Sequence, residues 1–369
     1  MNILLISYGV YEYDGRLREL IKVAKMLGST TYITRGFSKN SKQDEFHIVI
    51  PNGGKFAYLG FIIECVKKAK AIGNINVIFA DNRKSTIPVL IIKKLYPFLN
   101  VHIVQDVREL YIKDEVKSFV SKLGCFFESK LMKKADILIC ANKYRAIKMA
   151  EIFSLKREPL VYENIRKLEY KSKGLYVKAQ KKYGQFFQNN RFKIVSTSGC
   201  SISRTNDILV NAMKNLGLEY ELFLVGASTD KDVKLICQII DKYKLDNVKI
   251  IDNVKEYELK YILSQCNVGV VNYNQKDTNN MYCASGKLFE FLFEGIPLIC
   301  TENPPLKGIC EEYGVGVADD NYEDGIRIIK ENYINFKENV KRYTEMLDSV
   351  ENNRILATQI NQYLLGVKN

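Results

Sequence analysis

The chain is 369 residues long, more than one common hydrophobic core organises, so two domains are expected. It is 47% hydrophobic and 26% charged, the balance of a soluble globular protein, and no apolar run approaches the roughly 20 residues of a membrane span. A net charge of +13 suits nucleic acid, an anionic membrane surface or phosphate-bearing small molecules, and the lack of an RNP-like or zinc-finger pattern sets nucleic acid aside.

In chain order, residues 2–7 form an apolar-rich run, which predicts a parallel strand covered on both faces. Tyr8-Gly9 and Asp14-Gly15 mark a loop. Leu17, Leu20, Ile21, Ala24 and Leu27 then make one helical stripe, closed by Gly28. Strands are predicted next at 30–34, 47–50, 77–80, 101–105, 137–140 and 160–162. Helices are predicted at 58–71, 87–95, within 116–133, and at 143–153. This alternation implies right-handed βαβ units and a doubly wound parallel sheet.

Residues 166–191 break the pattern. Arg166-Lys167, Lys171, Lys173, Lys178, Lys181-Lys182 and Arg191 interleave with Tyr170, Tyr176, Tyr183 and Phe186-Phe187. Two readings stand: a solvated basic linker with one amphipathic helix, or a surface against anionic lipid headgroups. The alternation restarts with strands at 192–196, 220–225, 248–251, 268–271, 298–301 and 314–317. The helices between and after them are expected at 207–216, 232–243, 256–264, near 322–331 and at 352–365, with another ending at Tyr313. Two consecutive halves of this kind are better explained as two Rossmann-like domains, at 1–165 and 192–350, than as one giant sheet. Ligands of such sheets sit beyond the carboxyl ends of the strands, so both domains are expected to face a central cleft.

Nine cysteines occur without CxxC pairs, and Cys65, Cys140, Cys200, Cys266 and Cys300 sit in or beside apolar segments, as buried thiols do in a reducing cytoplasm. Residues 1–7 lack the basic n-region of a signal peptide. The two histidines, His47 and His102, fall in predicted strands, where a packed imidazole is the expected role.

The organising stretch is Ser285-Gly286-Lys287-Leu288-Phe289-Glu290-Phe291-Leu292-Phe293-Glu294-Gly295-Ile296-Pro297. Small residues before a helical pattern leave backbone amides facing outward, which suits an anion. Leu288, Phe291 and Leu292 share one buried face at i, i+3 and i+4. Glu290 lies off that face, either as an acid favoured by the helix dipole or as a carboxylate for the hydroxyls of a ribose.

Taken together these segments make the chain resemble a GT-B glycosyltransferase, similar to the family 4 group of nucleotide-sugar-dependent enzymes. Ser285 to Phe291 with Gly295-Ile296-Pro297 matches the family's K-L-x-E-[YF] and G-x-P block, and residues 306–316 are similar to the segment after it. Asp14-Gly15-Arg16-Leu17-Arg18-Glu19-Leu20 is similar to the D-x-R-x-x-x-E segment, and Asp106-Val107-Arg108-Glu109-Leu110 resembles D-x-[HR]-[DE]-L. Ala135 to Asn142 resembles the A-D-x-x-I-x-x-[ST] strand, and Asn164 stands where the family's linker asparagine opens.

The resemblance implies two Rossmann-like domains and transfer of a sugar from a UDP- or GDP-sugar with retention of configuration. The implied acceptor is a hydroxyl of a lipid-linked or surface glycan, with peripheral membrane association and no metal or other cofactor. It further implies nucleotide-sugar binding by Gly9, Arg204, Tyr282, Ser285, Gly286, Lys287, Leu288 and Glu290. Arg108 and Glu109 are implied near the donor sugar or acceptor, with Asp14 and Arg16 on the acceptor side. Arg204 is read either as a diphosphate contact or as a solvated arginine at a helix start. Arg108 and Glu109 read equally as a structural ion pair at a strand end. Gly9 allows close backbone approach or is a plain turn glycine. Glu290 matches the second carboxylate of the family's E-x7-E pattern; the first belongs eight residues earlier, where this chain has Tyr282, a departure that admits a binding subunit without activity. A nucleotide-sugar epimerase on the same fold is the other alternative. Asp230-Lys231-Asp232 spells the metal motif of another glycosyltransferase fold, but its position predicts a helix cap. The last helix is expected to return to the first domain.

Overall fold

The computed structural model describes residues 1–36, 47–51, 56–96 and 101–366. The chain forms two compact units, Met1–Glu163 with Ser349–Asn369, and Asn164–Asp348.

The first unit holds β1 (Asn2–Val10), β2 (Ser29–Gly36), β3 (His47–Pro51), β4 (Val77–Asp81), β5 (His102–Asp106), β6 (Ile137–Cys140) and β7 (Leu160–Val161). They form one sheet in the order β3-β2-β1-β4-β5-β6-β7, with every pairing parallel. Side chains alternate along β1: Ile3 and Leu5 enter one core with helix Gly15–Leu27, while Leu4 and Ile6 enter the other with helices Ala57–Ile72 and Thr86–Leu95. A strand buried on both faces needs such an unbroken apolar run. Helix Ser349–Leu364 packs on Gly15–Leu27 and buries Leu356, Ala357 and Ile360 there.

The second unit holds β8 (Phe192–Ser196), β9 (Tyr220–Val225), β10 (Val248–Ile251), β11 (Val268–Val271), β12 (Leu298–Cys300) and β13 (Gly316–Ala318). These also pair in parallel, in the order β10-β9-β8-β11-β12-β13. Each sheet reverses its winding once, between β1 and β4 in the first and between β8 and β11 in the second. Such a switch point opens a crevice at the carboxyl ends of the strands, where ligands bind. The expected pair of doubly wound α/β sheets is therefore present.

Two features depart from the expectations. The stretch 166–191 belongs to the second unit instead of standing between two domains, and it carries the one amphipathic helix expected there. Its helix, Lys173–Tyr183, packs on Glu256–Ser264 and buries Ala179 and Tyr183. Phe187 lies 4.8 Å from Phe223, and Tyr176 lies 5.5 Å from Tyr261. Ala179 and Tyr183 fall at i and i+4 on the buried side of the helix, while Tyr176 stays 38% exposed at its edge. A helix at Tyr333–Glu345 was not anticipated; it buries only Val340 and Tyr343, too weak a stripe to stand out in the sequence.

Candidate functional site

Helix Gly286–Phe293 sits against the second sheet because β11 makes room for it. A Cβ at Gly269 would lie 2.4 Å from the ring of Phe291, so only glycine admits that ring. The helix buries Leu288, Phe289, Glu290, Phe291 and Leu292, and Ser285 stands at its N-cap in extended conformation without a side-chain cap bond. Its first amides have no partner within the helix and point out of its end.

Cations gather at this end. Lys287 Nζ donates to the carbonyl of Thr197 at 2.7 Å, tying the helix start to the loop after β8. Burial pushes the Lys287 ammonium down to about 8; nearby Arg204 adds to the effect and Glu290 opposes it. Arg204 closes a short 3₁₀ turn, Ile202–Arg204, just before helix Asn206–Leu216, rather than starting that helix as expected. Its guanidinium stacks 3.6 Å over the ring of Tyr273. Three of the buried polar atoms that lack a hydrogen-bond partner among the described residues belong to this neighbourhood: Thr197 Oγ1, Arg204 Nη1 and Ser285 Oγ. An unpaired buried donor costs about 1–3 kcal/mol, so three beside one helix end mark a place built for acceptor oxygens.

Glu290 is 4% exposed. Burial raises its pKa, while Arg166 and Lys287 pull it down. Arg166, more than half exposed, brings Nε within 3.2 Å of its carboxylate. Glu290 thus joins the Lys287 side of the site instead of remaining a solvated first-turn acid.

Gly286 lies at the first helical position. A Cβ there would make only ordinary contact, 3.6 Å from the carbonyl of Asn164, so packing does not demand glycine. Asn164 also donates through Nδ2 to the carbonyl of Ala284 at 3.2 Å. The side chain of Leu288 is in the hydrophobic core, which leaves only its backbone to the site. Tyr282 ends the short helix Thr278–Met281 and is half-buried.

Sequence reading missed the polar lattice beneath this end. Asn206 Nδ2 donates to Ser198 Oγ at 3.1 Å and to the carbonyl of Gly199 at 2.6 Å, and Asn272 Nδ2 donates to Asn206 Oδ1 at 2.9 Å. Thr301 Oγ1 donates to Asn303 Oδ1 at 2.6 Å. Gly199, at φ +59°, carries the turn; a Cβ there would lie 2.5 Å from Ser228 Oγ. The available signal was the small polar residue that follows each apolar strand: Ser196, Asn272 and Thr301.

The first unit treats its strand ends differently. Arg108 donates from Nε to Asp81 Oδ1 at 2.6 Å, from Nη2 to Asp81 Oδ2 at 2.7 Å, and from Nη1 to Asp14 Oδ2 at 2.6 Å. Burial lowers its pKa, but Asp81, Asp14 and Asp106 outweigh that and raise it above the ordinary arginine value. Burial pushes Asp81 up to about 6 against the pull of Arg108. Arg16 donates from Nε and Nη2 to Asp106, both at 2.8 Å, and from Nη1 to the carbonyl of Tyr162 at 2.8 Å.

Four expectations change accordingly. Arg108 pairs with aspartates and not with Glu109, which is exposed. Asp14 caps helix Gly15–Leu27 through Leu17 N and receives Arg108, so it is a scaffold contact. Arg16, with a side chain 9% exposed, is held in the interior and is not an open acceptor-side cation. Gly9 is required locally, because a Cβ would lie 2.9 Å from Asp14 Oδ2 and 3.0 Å from Ser7 Oγ.

Asp230 and Asp232 fall in the first turn of helix Asp230–Tyr243, where Thr229 is the cap and accepts from Asp232 N. His47 is buried, 2.7 Å from Thr34 Oγ1, and stacks on Tyr32; His102 lies 3.5 Å from Asp136. Among the described residues no group of three or more His, Cys, Asp or Glu is arranged to hold a metal ion. No described helix is long and apolar enough to cross a membrane.

No family model matches the chain, and neither does any curated protein sequence. Solved structures do match along its whole length. The sucrose-phosphate synthase of Thermosynechococcus elongatus superposes with a TM-score of 0.73 at 17% identity, covering 100% of both chains. HepE of Anabaena, solved with UDP and glucose, gives 0.70 at 18% identity over 98% of this chain and 100% of its own. A putative UDP-N-acetylglucosamine 2-epimerase of Listeria monocytogenes gives 0.62 at 11% identity, covering 100% and 97%. The fold is that of the GT-B glycosyltransferases.

Proposed function

We propose that this protein transfers a sugar from a UDP- or GDP-sugar to a hydroxyl of a lipid-linked or surface-glycan acceptor. The observation that carries this reading is the start of helix Gly286–Phe293, with its outward amides, Lys287, Arg204 and the unpaired hydroxyls of Ser285 and Thr197. Breaking the bond between an anomeric carbon and a diphosphate leaves charge on the β-phosphate, and donors fixed in advance stabilise it without reorganising. A phosphate beside Lys287 would offset the cost of its buried charge and raise its pKa again. Glu290, with Arg166 Nε 3.2 Å from its carboxylate, would accept the two ribose hydroxyls. In this reading the leaving phosphate deprotonates the acceptor, configuration is retained, and no metal takes part. Nine free thiols, eight of them buried, suit a reducing cytoplasm.

Thermal shift against UDP-, GDP- and CMP-sugars tests the reading. A ligand at 100 times its dissociation constant adds roughly 2.7 kcal/mol of stability, and no shift with any of the three defeats it. Glu290→Gln is expected to weaken nucleotide binding about tenfold with the fold intact; unchanged affinity removes the ribose role. The epimerase neighbour favours a second reading on the same site. Incubating donor alone separates them, since an epimer formed without acceptor overturns transfer. Nucleotide binding with no UDP or GDP release under any acceptor identifies a non-catalytic subunit.

A further inference from the structure

In the first unit, helix Phe119–Met132 buries Cys125, Glu128, Leu131 and Met132. Its opposite side is apolar and open to water. Phe119, Leu123 and Phe126 fall there at i, i+4 and i+7 and are 78%, 43% and 50% exposed, with Val120 beside them at 78%. In the same unit, helix Ala57–Ile72 also exposes Leu59 and Ile63, with Phe56 at its cap. Scattered apolar residues on a surface need no explanation, but a contiguous stripe of large ones marks an interaction site.

Charge identifies the occupant. Lys117, Lys122, Lys130, Lys133 and Lys134 are all exposed on this helix or at its ends. The one acid between residues 117 and 134 is Glu128, which is buried on Arg83. Every exposed charge of the segment is therefore positive, around an apolar centre. A second copy of the chain would press like charges together, whereas an anionic bilayer offers acidic headgroups to the lysines and acyl chains to the rings.

We propose that helix Phe119–Met132 docks the protein on an anionic membrane surface, with Phe119, Val120, Leu123 and Phe126 entering the headgroup–acyl boundary and the lysines lying on the headgroups. This moves lipid contact from residues 166–191, whose aromatics are partly spent on packing, to the first unit. The docking stands apart from the nucleotide reading, because it is measured with no donor present.

The full chain is sedimented with vesicles of phosphatidylcholine alone and of an equal mixture with phosphatidylglycerol. Binding is expected only to the mixture, weakening as salt rises, and the double variant Leu123→Glu with Phe126→Glu is expected to lose it at least about tenfold. Neutralising Lys173 and Lys178 is expected to leave it unchanged. The chain contains no tryptophan, so Phe119→Trp gives a single reporter whose emission should shift blue and be quenched by brominated lipid. Failure of the wild type to bind, a double variant that binds like the wild type, or a tryptophan that stays in water each overturns the proposal. So does conversion of a dimer to a monomer by the double variant, which assigns the face to a second copy.

Discussion

At the carboxyl end of the first sheet, two arginines are spent on three aspartates; at that of the second, an arginine, a serine and a threonine keep buried polar atoms unpaired. The topologies are alike, with one reversal of winding each, so the contrast does not come from the fold. The first unit also has buried unpaired polar atoms, on Arg35, Arg83, Thr86 and Gln105, but none belongs to a residue of the Arg108 network. That network is closed: its charges are satisfied by one another, so removing one member strands the rest. The second strand end is open: among the described residues neither Lys287 nor Arg204 makes an ion pair, and Glu290 only partly offsets the burial of Lys287. Lys287 shows the cost, since its proton is less tightly bound than in water. A saturated cluster fixes geometry, and an unsaturated one has interactions left to give a ligand.

This comparison can be broken at several points, and the largest effect is expected in the closed network. Arg108→Met strands Asp81 and Asp14 and should cost about 3–5 kcal/mol in denaturant unfolding. A loss under 1 kcal/mol would mean that the network is not a scaffold. The reverse outcome is expected at Lys287. Its pKa falls from 10.5 unfolded to about 8 folded, so between these values the unfolded chain binds more protons and stability rises with pH. The penalty is complete below pH 8. Lys287→Met should therefore stabilise the protein at pH 7 by on the order of 3 kcal/mol, the gain fading as pH climbs toward 10.5, while nucleotide binding is lost. A variant less stable than the wild type at pH 7 would show that the lysine is not strained.

Arg204→Ala should slow turnover about 10²-fold, close to 2.7 kcal/mol, with little change in stability, and an unaffected rate would end its diphosphate role. The smallest effect sharpens the contrast most. At Gly286 an added Cβ meets only Asn164 at ordinary contact distance. Gly286→Ala should hold the melting temperature and still weaken nucleotide binding about tenfold, as a methyl group enters the space over the amides. A matching loss of stability would make Gly286 a packing residue.

What the sequence determined by itself was the run of elements. Strands at 137–140, 192–196, 220–225, 248–251 and 268–271 have the bounds that the structure shows, because each is a short apolar-rich run set off by polar or turn-forming residues. The helix opening at Ser285–Gly286 was legible for a similar local reason: small residues precede an amphipathic stripe. Partnership was not legible. Asp14, Arg16 and Arg108 looked like three exposed candidates, yet Arg108 meets Asp81 and Asp14 across sequence separations of 27 and 94 residues. The aromatics of 166–191 looked like a surface until Tyr183 and Phe187 entered the core. Helix Phe119–Met132 was expected only as a helix within 116–133; which of its faces is buried shows only in the structure. A sequence specifies period and propensity, which are local. Which face is covered, and which charge finds a counter-charge, depends on neighbours that only the closing of each sheet brings within reach.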